Sequence, residues 1–330
     1  MTLEPRPKRY PPPEFPPRQV AAFARTPPAI FPPILGLLGL VIALRLAVGR
    51  MDWDQGPVDF LAGLVVALWA FSTLAYAVKA ARRPGVVVED LRVLPGRSGL
   101  AALTMGGMAA ATIIAAHAAP VALGLMLAAL IGHGVLAALL ARLLLSLPPE
   151  ARAVNPTLHL SYVGFIVAAP AAVALGWGGL ATVLFWATLP VALAVWGLSA
   201  AQFAKAVPPA PLRPLLAIHL APAALLSSVA GLLGIPLAGM VFAGLGVAYA
   251  VVLLVAGRWV TAAGVTALWG AFTFPLAALA TALTVTGGIW IWPGVVLTAV
   301  ALGVIPAIAW WVLKRWPGGR LAAATNAAEA

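Results

Sequence analysis

The sequence contains no cysteine, which excludes disulfides, thiolate nucleophiles and cysteine metal sites. Charge is nearly as scarce: 9% of the 330 residues are Asp, Glu, Lys or Arg, where a soluble domain carries roughly 25%. No apolar run holds an acidic pair, a histidine cluster at metal-ligand spacing or a P-loop, so carboxylate, metal and nucleotide chemistry have no site. No enzyme and no cofactor are expected. WGLSA at Trp196 to Ala200 offers a serine like that of an intramembrane protease, but neither the glycine that should follow it nor a paired histidine. The first 27 residues lack an apolar h-region, so no cleavable signal peptide is expected.

What is present is apolar. Hydrophobic residues make up 63% of the chain and the mean hydropathy is +1.03, the composition of an all-α, multi-pass integral membrane protein. At roughly 20 residues per span plus short loops, the length allows about ten spans. Apolar runs bounded by charge, glycine or proline place them at Pro28 to Val48, Asp59 to Val78, Gly99 to Ala116, Val121 to Leu145 and Leu158 to Leu175. The second five are Leu180 to Phe203, Pro214 to Leu233, Leu237 to Ala256, Val260 to Val285 and Trp292 to Leu313. Residues 1–27, with PPPEFPP at Pro11 to Pro17, read as a disordered basic tail, 28–315 as the membrane domain and 316–330 as a short cytoplasmic tail.

The net charge of +11 would suggest nucleic acid in a soluble protein; here it reads as base held on the cytoplasmic side, and no nucleic acid partner is expected. With both termini inside, the inner loops and ends collect Arg25, Lys79, Arg82, Arg83, Arg92, Arg97, Arg142, Arg152, Lys205, Arg213, Arg258, Lys314, Arg315, Arg320 and the four bases before Arg25. Only Arg45 and Arg50 of the 20 basic residues are left outside. One span more or fewer would reverse every later loop and destroy that bias. The outer connections AAHAAP, GWGG, GIP and TGGIWIWPG are short, so odd and even spans form antiparallel hairpins.

The ninth span, WGAFTFPLAALATALTVT, has an aromatic pair, Phe272 and Phe274, directly before Pro275 and then the small residues Ala277, Ala278, Ala280 and Thr281. Proline inside a helix removes an N–H and bends the chain, and a bulky ring beside a bend suits a constriction. Spans five and seven carry similar prolines at Pro170 and Pro222, and the third has the flexible pair Gly106 and Gly107 instead. Five such hairpins suggest five similar units around an axis. The prolines at Pro170, Pro222 and Pro275 have two readings: bent inner helices whose second halves begin with partly unpaired N–H groups, weakly favourable to anions, or plain helix-packing geometry.

PAIFPPILGLLGL in the first span, NPTLHLSYVGF entering the fifth, LRPLLAIHLAPA in the seventh and LWGAFTFPLAALA in the ninth resemble the tellurite-resistance/dicarboxylate transporter family, which includes TehA-like bacterial proteins and plant slow anion channels. The resemblance covers Pro27 to Leu313. It implies a homotrimer in which each subunit has its own pore, lined by the five odd helices and ringed by the even ones. It implies that Phe274 closes that pore and that Gly36 lies near it, while the small residues after the bend, Ala277, Ala278 and Thr281, are pore-lining candidates from the sequence itself. By the same resemblance the chain would be an anion channel or channel-like transporter for small inorganic or carboxylate anions, in a bacterial inner membrane with lipid around it. A secondary carrier or exporter of C4-dicarboxylate, sulfite or tellurite is the alternative.

Several polar residues have a structural reading beside a functional one. Arg45 and Arg50 could draw anions to an outer funnel, but snorkelling with Asp52 and Asp54 as partners is the preferred reading. His133, near the middle of the fourth span, reads as a hydrogen-bonded structural residue, whereas His159 and His219 fall near the inner ends of spans five and seven. Trp290, Trp292, Trp310 and Trp311 read as interfacial belts.

Overall fold

The computed structural model describes residues 21–148, 152 and 154–330; the expected proline-rich stretch at Pro11 to Pro17 and the bases before Arg25 lie outside them. The described chain is helical, without strands. Its helices are α1 (Phe31–Arg50), α2 (Gly56–Arg82), α3 (Gly85–Arg92), α4 (Leu94–Ile114), α5 (Ala119–Leu145), α6 (Ala169–Ala174), α7 (Gly178–Lys205), α8 (Leu220–Leu232), α9 (Pro236–Val255), α10 (Gly257–Val260), α11 (Thr273–Thr286), α12 (Ile291–Leu313) and α13 (Arg320–Ala324).

Eight helical segments among the described residues are long and apolar enough to cross a membrane. The other two expected spans correspond to α4 and to the α6 unit. α4 carries Arg97, which is buried and donates from Nε to the Leu91 carbonyl. The α6 unit is broken into a π-helix, His159–Val163, a 3-10 helix, Gly164–Ala168, and only then α6 itself. The ninth span starts later than expected, because a turn follows α10 and helix resumes as a 3-10 segment at Ala267.

Burial sorts these segments into two sets. The windows containing α1, α8 and α11 are 67%, 83% and 61% buried, whereas those of α2, α5, α7, α9 and α12 are 28%, 28%, 33%, 17% and 33% buried. The buried set closes on itself: α1 packs on α4, α4 on the α6 unit, that unit on α8, α8 on α11, and α11 back on α1. Each remaining long helix lies outside, in the groove between its own hairpin partner and the next inner helix. Thus α2 touches α1 and α4, α5 touches α4 and α6, α7 touches α6 and α8, α9 touches α8 and α11, and α12 touches α11 and α1. The alternation follows from side-chain size. Inner segments are rich in alanine and glycine, which let backbones approach, while outer helices expose Phe60, Ile131, Trp186, Leu254 and Trp310 on their far faces. Of the belt tryptophans, Trp292 and Trp310 are exposed and Trp290 and Trp311 half-buried.

Four inner segments share one construction: a turn or more of 3-10 or π-helix precedes the α-helix, and proline stands in its first turn. Pro32 and Pro33 follow the 3-10 turn Pro28–Ile30, Pro170 follows Gly164–Ala168, Pro222 follows Ala210–His219, and Pro275 follows Ala267–Phe272. Proline costs no hydrogen bond in a first turn, where the N–H has no helical acceptor, so these residues mark where each inner helix changes pitch. α4 is the exception and corrects an expectation. It runs as α-helix through Gly106 and Gly107, which act as a notch instead of a hinge: a Cβ on Gly106 would lie 2.7 Å from the indole of Trp69, and one on Gly107 2.9 Å from Ala129 Cβ. The Trp69 Nε1 donates to the Leu103 carbonyl across this notch at 3.0 Å.

The two ends of the described chain meet. Residues 21–27, expected as part of a tail, are folded back so that Ala24 and Thr26 are buried. The Ala330 N–H donates to the Ala24 carbonyl, and Arg25 pairs with Glu329 at 3.1 Å. Beneath them a fully buried Lys79 Nζ lies 2.9 Å from Asp90 Oδ2 and donates to the Thr26 carbonyl, while Asp90 also accepts from the Tyr76 hydroxyl and the Ala328 N–H. A buried ion pair is tolerable when its remaining valences are filled, and here the Thr26 carbonyl, the Tyr76 hydroxyl and the Ala328 N–H fill them. This knot ties the start of α1 to the C-terminal segment through α2 and the short α3.

Candidate functional site

A cavity lies inside the ring, at the end where the inner segments start. Every inner segment contributes to its wall: Pro32 and Leu35, Ser98 and Ala102, Leu160, Leu215 and Ile218, and Leu268, Phe274 and Pro275. The wall is aliphatic and aromatic, with Ser98 its one hydroxyl and no charged side chain. Phe274 sits on it, 6% exposed. Its ring is placed from two sides. The bend at the 3-10 to α junction turns Phe274 inward, and Gly39 on α1 leaves room for it, since a Cβ there would lie 3.3 Å from Phe274 Cδ2.

The other candidates divide by helix face. Ala278 and Thr281 follow Phe274 at helical spacings of four and seven, so the three share a face; Ala278 is buried, and Thr281 is half-buried between buried neighbours. None of the four small-residue candidates is on the wall of this cavity, and Gly36 and Ala277 lie instead in helix seams. A Cβ on Gly36 would stand 2.3 Å from the Cβ and Oγ1 of Thr273. Ala277 packs with Leu40 of α1 and with Ala301 and Ile305 of α12. Both are seam residues, small because α1 and α11 press together there. Pro275 lines the axial cavity and Pro222 a second cavity, while Pro170 is half-buried and lines neither.

Thr273 is a site residue that sequence alone did not single out. It is fully buried, and its hydroxyl lies 2.7 Å from the Gly270 carbonyl and 3.1 Å from the Pro32 carbonyl. One donor thus serves two acceptors, at the starts of the first and fifth inner segments. A threonine one residue before the ring was the visible signal, but only the packing of α1 on α11 shows what it holds.

The histidines resolve into two arrangements. His133 reaches inward from α5, its Nδ1 2.7 Å from Thr104 Oγ1 and its ring edge-on to Phe165, consistent with the structural role expected of it. His159 and His219, 60 residues apart in sequence, meet between the α6 unit and the segment leading into α8, with Nε2 to Nδ1 at 2.9 Å. His159 lines a second, smaller cavity together with Met105, Leu160, Gly164 and Pro222.

At the opposite end Arg45 neither stands free nor pairs with Asp52 or Asp54 as expected. Its NH2 lies 2.8 Å from Asp59 Oδ1 and 3.1 Å from His117 Nε2, and its NH1 donates to the Ile113 carbonyl. Asp54 instead accepts from the Gly56 N–H at the start of α2. No group of three or more metal-ligating side chains occurs among the described residues.

A ring of five inner segments around an uncharged cavity, one end of which a buried aromatic ring overlooks, is an arrangement for passage more than for chemistry. A profile of the family described as "SLAC1: Voltage-dependent anion channel" matches residues 25–314. No curated protein matches the chain.

Proposed function

The chain belongs to the SLAC1 family of voltage-dependent anion channels, and on that premise we propose that it conducts small anions passively along the axis of its inner ring, with Phe274 as the gate. The observation that carries this reading is the seat of Phe274: on the wall of a cavity built by all five inner segments, beside a proline bend and facing a glycine. A ring in a narrow apolar passage blocks by bulk and by excluding water, and a change of rotamer relieves the block. The uncharged wall favours anions that shed water readily over those that hold it strongly, because no cation on the wall compensates dehydration.

In this reading α4 and the α6 unit also cross the membrane, giving ten spans in five hairpins. The meeting of Ala24 and Arg25 with Glu329 and Ala330 on one side supports an even number, and the concentration of lysine and arginine on that side supports a cytoplasmic assignment for it. A homotrimer in a bacterial inner membrane rests on the family resemblance and on the apolar outer faces available to lipid or to further copies.

Phe274→Ala tests the gate. Reconstituted into liposomes at matched density, the variant is expected to pass nitrate or chloride at least about tenfold faster than the parent, the rate ratio of a barrier lowered by about 1.4 kcal/mol. Equal fluxes through both proteins would refute the assignment.

A further inference from the structure

We propose that His159 and His219 form a protonatable anion-binding site in the inner ring, which takes up one proton together with one small monovalent anion in the second cavity. The proposal rests on the reading of the chain as an anion conductor and adds a binding site and a coupling to it.

The geometry of the pair sets its proton capacity. His159 Nε2 and His219 Nδ1 face each other at 2.9 Å, so one hydrogen lies between them. Two neutral imidazoles carry two hydrogens in all, which leaves one for the two outward nitrogens, His159 Nδ1 and His219 Nε2. Whichever tautomers are present, one outward nitrogen is bare. A single added proton fills it without disturbing the bond between the rings, and both outward nitrogens are then N–H donors. A second added proton has no place except on the facing nitrogens, where it would set N–H against N–H and break the contact. The pair therefore holds one positive charge and no more.

The surroundings say what that charge meets. His159 is 2% exposed, its Nδ1 is buried without a partner, and its ring lines the second cavity. Met105, Val163, Ala221 and Leu225 give the rest of that cavity an apolar wall. No carboxylate among the described residues contacts either ring. The titratable and charged groups on the elements packed nearby are otherwise engaged. Tyr249 stacks edge-on against His219 and donates to the Leu216 carbonyl. Arg213 donates to the Pro208 and Trp259 carbonyls, Arg97 to the Leu91 carbonyl, and Tyr162 to the Ala137 carbonyl. His133 is turned to Thr104, and the outer helix α7 offers Trp196, whose indole donates to the His219 carbonyl. A lone imidazolium here would be costly, and so would a lone anion. Together they are neutral, with the His159 Nδ1–H donating to the anion. Leu160 belongs to the walls of both cavities, so one aliphatic side chain separates this site from the axis.

Proton uptake on anion binding tests the proposal directly. Nitrate is added to the purified full-length chain in weakly buffered detergent at about pH 6, within the range where histidine titrates. The expected result is uptake approaching one proton per chain, lost in His159→Gln; gluconate, larger and more strongly hydrated than nitrate, serves as the control anion. No uptake by the wild-type protein overturns the proposal, as does undiminished uptake by a folded His159→Gln protein. If His159→Gln does not fold, His219→Gln is measured in its place and the wild-type result stands by itself. Nitrate leak through Phe274→Ala without proton uptake by the wild type removes this site and leaves the conductor. Uptake in the wild type without any leak removes the gate and leaves the site.

Discussion

Gly36→Ala adds one methyl group at the tightest point of the α1 to α11 seam. The new Cβ would lie 2.3 Å from both Cβ and Oγ1 of Thr273 and 3.1 Å from the Phe274 backbone nitrogen. Ordinary carbon contacts need about 3.5–4.0 Å, so the overlap with Thr273 is more than about 1 Å. Rotating the threonine moves Oγ1 but not Cβ, which is fixed to the backbone, so the helices themselves must part. Parting stretches the bond from Thr273 to the Pro32 carbonyl and shifts the backbone of the very next residue, Phe274. Overpacking of this kind costs about 1–3 kcal/mol. The variant is expected to lose that much stability in detergent unfolding and to leak anions in liposomes. Gly63→Ala is the matched control: nothing lies within 4 Å of its Cβ, and a glycine in a helix gains roughly 0.5–1 kcal/mol from the change. Gly36→Ala,Thr273→Gly removes the colliding Cβ and should recover most of the loss due to packing. A Gly36→Ala protein as stable and as tight as wild type would refute the close approach and the coupling of this seam to the ring.

Replacing Lys79 by Met strands the Asp90 carboxylate in a fully buried site and is expected to cost about 3–5 kcal/mol; denaturation in detergent checks it, and Lys79→Met,Asp90→Leu should cost less than the sum of the single changes. Gly106→Ala drives a methyl into the Trp69 indole, and the expected loss of about 1–3 kcal/mol should shrink in combination with Trp69→Leu, measured by the same unfolding assay. Arg45→Gln breaks a partly exposed pair with Asp59 and should change stability by no more than about 1 kcal/mol, which separates the outer network from the buried knot.

Hydrophobic runs and the asymmetry of charge were enough to identify a helical membrane protein arranged in hairpins, because membrane solvation constrains single segments and needs no knowledge of their neighbours. The short loops foretold the hairpins, whereas the assignment of the odd helices to the inner set came only from the family resemblance. Residue-level roles were less accessible. From sequence, Gly36, Ala277, Ala278 and Thr281 are equivalent small residues on apolar helices. Only the rotation of α11 against α1 and α12 puts the first two in seams and leaves the last two on the face that Phe274 shares.

What the sequence determined by itself was the class of the molecule and the aromatic pair before a proline that made Phe274 a candidate, since each depends on local composition and backbone chemistry. What only the tertiary structure decided was contact across the ring: Thr273 reaching Pro32, Trp69 filling the Gly106 notch, His159 meeting His219, and Asp90 gathering both ends of the chain. Those pairings join residues as far as 241 positions apart. No local rule specifies such a partner; it is fixed when small side chains let five helices close at one distance and one rotation.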